Sequence, residues 1–400
     1  MNPSFRVAPA GAAQLASDPE ARHIVWFEGD RERLQVATSA IGLGIDLTGA
    51  EARVVASERD LARLQLLLAE LGSPYALPLE RFLRPIENWQ LRTRSLALDR
   101  PIIMGILNLT DDSFSGDGVG HDGGSALQRA AELQEAGADI IDTGAESARA
   151  DRPVLEETAE AELVGRVVAE LVREGHVVSS DTYKPLVARA ALDAGAELVN
   201  DISGLTQGTG AAEAAAASGA GYVLNFSFSA PKKRPDSPPV YGDIVAFTMG
   251  WMERRLAEVQ SIGVRRESIV IDPGIAFGKS HDEDLQVIRR IGELRTFGQP
   301  VLLAHSRKNL FGSIGGRPPA ERDLETHVAS AIAYAHGVRI FRVHDAGGTR
   351  RALGVAAAIS TAKTGEFASD ASSWPWRAGA HSSHMMTMEP DKPAPEGQRW

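Results

Sequence analysis

The apolar positions of the chain follow a repeating pattern from about residue 100 onward. Eight apolar runs, each ending in polar residues, alternate with segments of helical periodicity. Continuous apolar runs of this length are typical of strands buried on both faces, as in parallel sheets. The runs are IIMGILN (102–108), ADIIDTG (138–144), HVVSSDT (176–182), ELVNDIS (197–203), GYVLNFS (221–227), SIVIDPG (268–274), PVLLAHS (300–306) and RIFRVHD (339–345).

Helical patterns lie between these runs, and several end in the glycine that commonly stops a helix. Eight strand–helix units in about 265 residues are the count and length of a (β/α)8 barrel. A doubly wound open sheet is the alternative, but the regular units and the lack of a dinucleotide-binding fingerprint favour closure. The helical patterns cover residues 125–138, 156–175, 184–196, 249–263 and 325–337.

The chain before the barrel has a different pattern of apolar and polar positions. Residues 22–27 and 52–56 read as strands, residues 32–43 as a helix, and Ser57 as the cap of a second helix. We therefore divide the chain into a small α/β unit at 1–95, a barrel at 96–365 and a tail at 366–400. The small unit shows no catalytic constellation and is interpreted as a packing or dimerisation appendage.

Composition narrows the class of protein. The hydrophobic fraction of 43% supports a sizeable core, while the net charge of −11 argues against nucleic acid as a partner. The absence of cysteine excludes disulfides and cysteine-ligated metals. No stretch approaches the roughly 18 apolar residues of a membrane span, and the N-terminus shows no apolar leader. We expect a soluble, cytoplasmic protein without a membrane partner, and a tail rich in Ser, Pro, Gly and Ala that is disordered.

In a (β/α)8 barrel the active site lies at the carboxyl ends of the strands. Asp142 and Asp272 directly follow β-branched runs, so their carboxylates should lie near the barrel axis. An unpaired buried carboxylate is costly, and a ligand or a cationic partner is therefore expected. The residues at the strand ends are Asn108, Asp142, Glu146, Asp181, Asn200, Asp201, Asn225, Asp272, Ser306, Arg307, Lys308, Arg342 and His344.

Two chemistries are present at this rim. Carboxylates, an amide and a lysine suit a flat heterocycle with adjacent donors and acceptors; these residues are Asp181, Asn200, Asp272 and Lys308. Several cations with an amide suit a di-anionic phosphate group accompanied by Mg²⁺; these residues are Asn108, Arg149, Arg307, Arg342 and His344.

One segment resembles a phosphate-binding loop in sequence. GIAFGKS (274–280) has glycines and a lysine, but its glycine spacing is one residue short and Pro273 occupies the required first position. We interpret it as a barrel loop.

Six blocks of this sequence resemble the dihydropteroate synthase family of folate biosynthesis, and together they span 100–365 in the family's order. The resemblance implies a TIM barrel and a transferase that joins p-aminobenzoate to 6-hydroxymethyl-7,8-dihydropterin pyrophosphate, giving 7,8-dihydropteroate and pyrophosphate. It also implies a homodimer. The blocks are MGILNLTDDSFSGDG (104–118), ADIIDTGAESAR (138–149), SSDTYKPLVARAALDAGAELVNDISG (179–204), IDPGIAFGKS (271–280), SRKNLFG (306–312) and RVHD (342–345).

The resemblance also implies roles for individual residues. Phe114 and Ser306 would help form the p-aminobenzoate pocket, and Arg307 would contribute to substrate binding. The pterin would be held by Asp181, Asn200, Asp272 and Lys308. Pyrophosphate with Mg²⁺ would be held by Asn108, the metal ligand, together with Arg149, Arg342 and His344. The catalytic residues would be Asp181, Lys308, Arg342 and His344.

The chain departs from the family pattern around the first two loops and strand five. Ala148 replaces a hydroxyl residue, Ala150 a proline, and Asp111 another proline, while LNFSFS (224–229) and His305 are also unusual. We expect these changes to lie on the p-aminobenzoate and loop side rather than on the pterin floor. Two alternatives therefore stay open: a catalytically silent pterin-binding or partner-binding paralogue, and a pterin-dependent methyltransferase, which would need no pyrophosphate site.

Overall fold

The structure is a computed structural model. It describes residues 5–9, 23–47, 51–109, 123–146, 155–228 and 239–361.

A small antiparallel sheet with three helices precedes the barrel. Its strands lie in the order β1-β2-β4-β3. Phe27, Leu34, Leu64 and Tyr75 belong to a hydrophobic core that is separate from that of the barrel helices. The elements are β1 (Phe5–Pro9), β2 (His23–Glu28), α1 (Arg31–Ala40), β3 (Ile45–Asp46), β4 (Glu51–Ala56), α2 (Glu58–Glu70) and α3 (Ala76–Leu83).

The N-terminal sheet is attached to the base of the barrel. The Val7 N–H donates to Thr296 Oγ1 at 3.2 Å, and the Ile86 N–H donates to the Gly298 carbonyl at 2.9 Å. Both acceptors lie in or beside the 3-10 turn Ile291–Phe297, which leads into the amino end of a barrel strand. The N-terminal unit thus lies at the end of the barrel opposite the carboxyl ends of its strands.

A short hairpin closes the base of the barrel. It consists of β5 (Asn88–Gln90) and β6 (Ser95–Ala97), paired antiparallel. Trp89 is fully buried and donates its indole N–H to the Ser268 carbonyl at 3.0 Å. Its ring belongs to one cluster with inward residues near the amino ends of the barrel strands. These residues include Met104, Ile140, Leu198, Val223, Val270, Leu302 and Ile340.

Eight parallel strands form the barrel, in the order β12-β11-β10-β9-β8-β7-β14-β13. A parallel bridge between Ile271 and Val301 joins the two ends of this sheet, so the barrel is closed. This confirms the predicted (β/α)8 fold. The strands are β7 (Ile102–Asn108), β8 (Ile140–Gly144), β9 (Val178–Asp181), β10 (Leu198–Asp201), β11 (Gly221–Asn225), β12 (Ile269–Asp272), β13 (Leu302–Ala304) and β14 (Ile340–Val343).

Nine helices are described after the first barrel strand. The five predicted helices are present, and the fourth begins at Ile244 rather than at 249 because Asp243 caps the N–H groups of Val245 and Ala246. Four further helices were not among the predicted patterns, at 210–218, 281–289, 309–315 and 346–361. The helices are α4 (Gly123–Glu135), α5 (Glu157–Arg173), α6 (Pro185–Asp193), α7 (Gly210–Ser218), α8 (Ile244–Ile262), α9 (His281–Arg289), α10 (Asn309–Gly315), α11 (Asp323–Ala335) and α12 (Ala346–Thr361).

None of the helices in these described ranges is long and apolar enough to cross a membrane.

Candidate active site

The alternation of side chains along each strand determines what reaches the barrel interior. Ile103, Ile141 and Leu303 pack outward in the core shared with the helices, so residues of the opposite parity point inward. At the carboxyl ends these inward residues are mostly polar. The strand register places Asn200 beside Asp181 and Asn225 beside Asp272. The alternating pattern thus gathers the predicted site residues at one end of the barrel.

Arg342 joins two carboxylates at the centre of this rim. Its Nε donates to Asp142 Oδ2 at 2.5 Å and its Nη2 to Asp181 Oδ2 at 2.6 Å. Asn200 Nδ2 donates to the same Asp142 oxygen at 3.1 Å. Asp142 is fully buried, and its second oxygen Oδ1 makes no hydrogen bond among the described residues. The Arg342 guanidinium therefore links β8, β9 and β14, and Asn200 joins β10 to them through the Asp142 carboxylate.

The pKa of Asp181 reflects this crowding. Burial raises it to about 7, the Arg342 guanidinium opposes the rise, and the neighbouring Asp142 carboxylate adds to it. Burial disfavours the charged form of an acid, and a single cation shared by two carboxylates offsets this only in part. The charge of Asp181 therefore responds to pH near neutrality.

Asp272 and Lys308 meet at the loop that follows β12. Asp272 Oδ1 accepts the Gly274 N–H at 2.7 Å, while Lys308 Nζ donates to the Ile275 carbonyl at 2.6 Å. Burial raises the pKa of Asp272 to about 6 and lowers that of Lys308 to about 8, although the two opposite charges counteract both shifts. At neutral pH the pair presents an acceptor and a donor close together.

Ser306 and His344 form a second polar pair. His344 Nδ1 lies 2.8 Å from Ser306 Oγ, and the His344 backbone N–H donates to the same oxygen at 3.2 Å. Both side chains are buried. Because β13 and β14 are neighbours, the pair lies next to Arg342 on the rim.

Three residues at the strand ends point away from the rim centre. Arg307 adopts a left-handed backbone with φ of 57° and forms two bonds to Asp323, of 2.7 and 2.8 Å. Asp201 accepts from the Tyr222 hydroxyl at 2.6 Å and from the Ser203 N–H. His305 is buried against α11, with Nε2 3.0 Å from the Thr326 carbonyl. Placing His305 on the p-aminobenzoate side was therefore wrong, because its strand parity directs it outward.

Asn108 is the last residue of β7 and is partly exposed at the rim. Within the described residues, no group of three or more His, Asp or Glu side chains is arranged to hold a metal ion. Mg²⁺ commonly keeps several waters and takes one or two protein oxygens plus phosphate oxygens. A single rim amide therefore fits a metal that arrives with a phosphorylated substrate.

Several predicted residues lie outside the described part of the chain. They are Phe114 and Arg149, the altered positions Asp111, Ala148 and Ala150, and the whole tail 366–400.

Sequence reasoning gave no role to two groups that the structure places near the rim. Lys279 donates to the carbonyls of Pro273 and Gly274. Lys184 bonds Glu146 at 2.6 Å and Glu160 at 2.5 Å, and all three side chains are almost fully buried. The sequence signal for Lys279 was a lysine in a glycine-rich stretch after a strand. The signal for the group around Lys184 was the presence of glutamates around a strand end.

Fold and site together define a small-molecule enzyme of the (β/α)8 class with acceptor groups and cations at one rim. The family model described as "Pterin binding enzyme" matches residues 104–344. The dihydropteroate synthase of Escherichia coli K12 is 35% identical over 270 residues, which are 67% of this chain and 95% of that protein. That of Mycobacterium leprae is 36% identical over 262 residues, covering 64% of this chain and 92% of that protein.

Solved structures that are similar to this chain are also dihydropteroate synthases. Yersinia pestis dihydropteroate synthase in a sulfonamide complex superposes with a TM-score of 0.65 at 35% identity, covering 69% of this chain and all of that one. The Thermus thermophilus enzyme in complex with 4-aminobenzoate gives a TM-score of 0.61 at 36% identity, covering 68% of this chain and 99% of that one. The chain belongs to the dihydropteroate synthase family.

Proposed function

We propose that this protein condenses 6-hydroxymethyl-7,8-dihydropterin pyrophosphate with p-aminobenzoate to give 7,8-dihydropteroate and pyrophosphate. One observation carries the proposal: a carboxylate-and-lysine pocket and an arginine–histidine pair lie on the same rim. Asp272 and Lys308 form the first, and Arg342 with His344 forms the second. A ligand with a flat heterocycle at one end and a di-anion at the other matches this division.

The pterin would lie across Asp181, Asn200, Asp272 and Lys308. A carboxylate accepts two parallel N–H bonds from the guanidine-like edge of the ring, and Asp272, with its raised pKa of about 6, is mostly ionised at neutral pH. Asn200 can satisfy a mixed donor–acceptor edge. Lys308 can turn its ammonium from the Ile275 carbonyl to a ring carbonyl.

The pyrophosphate would lie on the opposite side, against Arg342, His344 and Asn108. Arg149 is proposed to contribute as well, whereas Arg307, predicted from the sequence to do so, is bonded to Asp323 and turned away from this side. The guanidinium of Arg342 has five N–H donors and donates two of them to Asp142 and Asp181, so the others can bind a phosphate. Asn108 would hold Mg²⁺, which when bound neutralises charge on the departing pyrophosphate.

The reaction forms a bond from the p-aminobenzoate nitrogen to the methylene carbon of the pterin and breaks the bond from that carbon to a pyrophosphate oxygen. One proton leaves the nitrogen and is taken up by the departing pyrophosphate or by water. Arg342 and His344 stabilise the anion as it departs, and the Asp181 carboxylate stabilises positive charge spreading into the ring. The aniline nitrogen is already nucleophilic, so no strong base is required. Ser306 and Phe114 are proposed to contact p-aminobenzoate; two solved relatives are complexes with that compound.

The test is formation of 7,8-dihydropteroate from both substrates with Mg²⁺, detected by mass spectrometry. Product that requires p-aminobenzoate supports the proposal. Tight binding of the pterin alcohol without product would instead support the silent paralogue, for which the altered Ala148 and Ala150 provide the sequence basis.

We also propose that the protein is a homodimer that associates through α11 and α12. Leu324, Val328 and Ile332 are spaced by four residues on one face of α11, and each is between 48 and 70% exposed. Val355 and Ile359 form a similar exposed pair on α12. Since β13 and β14 are adjacent, the helices that follow them are neighbours around the barrel, and an apolar surface of this kind marks an interaction site.

A further inference from the structure

The segment 273–280 resembles a phosphate loop in sequence, and the side chain of its Lys279 binds the backbone of the same segment. Lys279 Nζ donates to the carbonyl oxygens of Pro273 at 2.8 Å and Gly274 at 2.7 Å. The ammonium also lies 3.9 Å from the centroid of the Phe226 ring. The lysine therefore faces the backbone of the loop that follows β12.

The same short stretch of backbone serves the proposed pterin residues. The Gly274 N–H donates to Asp272, and the Ile275 carbonyl accepts from Lys308. On the far side, both carboxylate oxygens of the fully buried Asp284 accept from the Ala276 N–H at 3.0 Å. Four consecutive residues are thus held between two proposed pterin ligands and two charged residues without an assigned role.

The backbone here needs this support. Gly274 has φ of 66°, and a Cβ added to it would lie 2.0 Å from the Phe226 carbonyl. Ala276 has φ of 67° although it is not a glycine. A left-handed backbone is unfavourable for a non-glycine residue and persists only where its surroundings hold it. Lys279 and Asp284 supply the side-chain bonds that hold this turn.

We infer that Lys279 is a positioning residue for the pterin pocket: by binding the Pro273 and Gly274 carbonyls it fixes the peptide groups that orient Asp272 and Lys308. Removing the ammonium leaves two carbonyls without their donor and lets the turn relax. The Gly274 N–H and the Ile275 carbonyl then move relative to their partners. The inference rests on the proposed function only in naming the ligand as a pterin.

The charges around Lys279 agree with this geometry. Burial lowers its pKa to about 7, while Asp284 and Asp272 oppose the fall and Lys308 adds to it. Two lysines and two aspartates therefore surround this loop, and removal of any one of them changes the electrostatic interactions of the other three.

The experiment measures the affinity of the full-length protein for 6-hydroxymethyl-7,8-dihydropterin by calorimetry. Lys279→Met keeps the aliphatic stem over Phe226 and removes the donors, and should weaken binding by about 10-fold, as expected when charge-assisted bonds that order a site are lost. Lys279→Arg should recover most of the affinity. The KM for p-aminobenzoate should stay unchanged in both variants.

Two further variants keep the test decisive. Arg265→Met removes an exposed cation that donates to the Gly219 carbonyl at the other end of the barrel, and should leave the pterin affinity unchanged. Asp284→Asn loosens the same turn from its far side and should weaken pterin binding even if Lys279→Met folds poorly.

Wild-type affinity in Lys279→Met, or an equal loss in Arg265→Met, would overturn the inference. A wild-type protein that binds the pterin but forms no dihydropteroate refutes the proposed reaction alone, since the readout here is affinity. A wild-type protein that turns over, with normal pterin binding in Lys279→Met and Asp284→Asn, refutes this inference alone.

Discussion

At the scale of single residues, the rim follows from the alternation of side chains along buried strands. Asp142, Asp181, Asn200, Asp272 and Arg342 could be placed at one end of the barrel from sequence, because each ends or nearly ends an apolar run. The hydrogen-bond partners of these residues could not be predicted from the sequence. That Arg342 bridges two carboxylates, or that Arg307 turns aside, depends on register and on backbone angles that no local pattern specifies.

Asp272→Asn should weaken binding of the pterin alcohol. The substitution turns one acceptor oxygen into a donor opposite ligand N–H groups, which costs about 1–3 kcal/mol, or roughly 5- to 150-fold in affinity. Calorimetry measures the change, and Asp282→Asn on the exposed first turn of α9 is the control. Equal affinities in the Asp272 variant and the wild type would remove Asp272 from the pterin pocket.

The raised pKa of Asp181 predicts a pH-dependent effect on stability. The folded pKa of about 7 exceeds the ordinary value of 3.8, so between these values the folded state binds more protons than the unfolded state. Stability from this group therefore falls as pH rises through that range. Asp181→Asn removes the penalty, and its free energy of unfolding relative to wild type should increase from pH 5 to pH 8.

Urea denaturation at the two pH values checks this prediction, again with Asp282→Asn as the control. A difference between variant and wild type that stays constant or shrinks toward pH 8 would show that Asp181 does not carry the cost of a buried charge.

At the scale of elements, the strands of the barrel were predicted within about two residues, whereas the smaller pieces were missed. Long apolar runs report burial on both faces, which periodicity detects. By contrast β1, β3, β5 and β6 have five residues or fewer, and their pairing depends on partners distant in sequence. Helices α7, α9 and α10 have nine residues or fewer, which is too short for a clear helical period. In α7, six of the nine residues are alanine, so no apolar stripe marks it.

The hairpin at the base of the barrel should contribute strongly to stability. Trp89→Ala empties a fully buried site and removes the bond to the Ser268 carbonyl, so we expect a loss of about 3–5 kcal/mol. Urea unfolding measures it. Trp26→Ala is the matched control, because Trp26 is only partly buried and stacks on Arg6 at the surface. Similar losses for both variants would contradict a specific role of the hairpin as the base of the barrel.

At the scale of the whole molecule, a closed barrel carries the site at one end and the N-terminal sheet at the other. The sequence could predict the barrel because eight units of similar length repeat the same pattern. It could not place the N-terminal unit, because its attachment depends on contacts between residues distant in sequence, such as Val7 with Thr296 and Ile86 with Gly298. The unit adds its own core without contributing a described side chain to the rim.

The dimer proposal is tested at this scale by sedimentation velocity. Val328→Glu puts a charge on the apolar face of α11 and should convert a dimer into a monomer. Leu66→Glu is the control, because Leu66 is 62% exposed on α2 of the N-terminal unit. Dissociation by Leu66→Glu, with Val328→Glu still dimeric, would move the interface to the N-terminal unit.

The most direct test of the whole account is the release of pyrophosphate by the purified protein. Dihydropterin pyrophosphate and Mg²⁺ are supplied with and without p-aminobenzoate. Release that rises with p-aminobenzoate, and matches the dihydropteroate formed, is the predicted result. Release that is absent, or that does not depend on p-aminobenzoate, in a protein that still binds the pterin alcohol would contradict assignment of the rim to pterinylmethyl transfer.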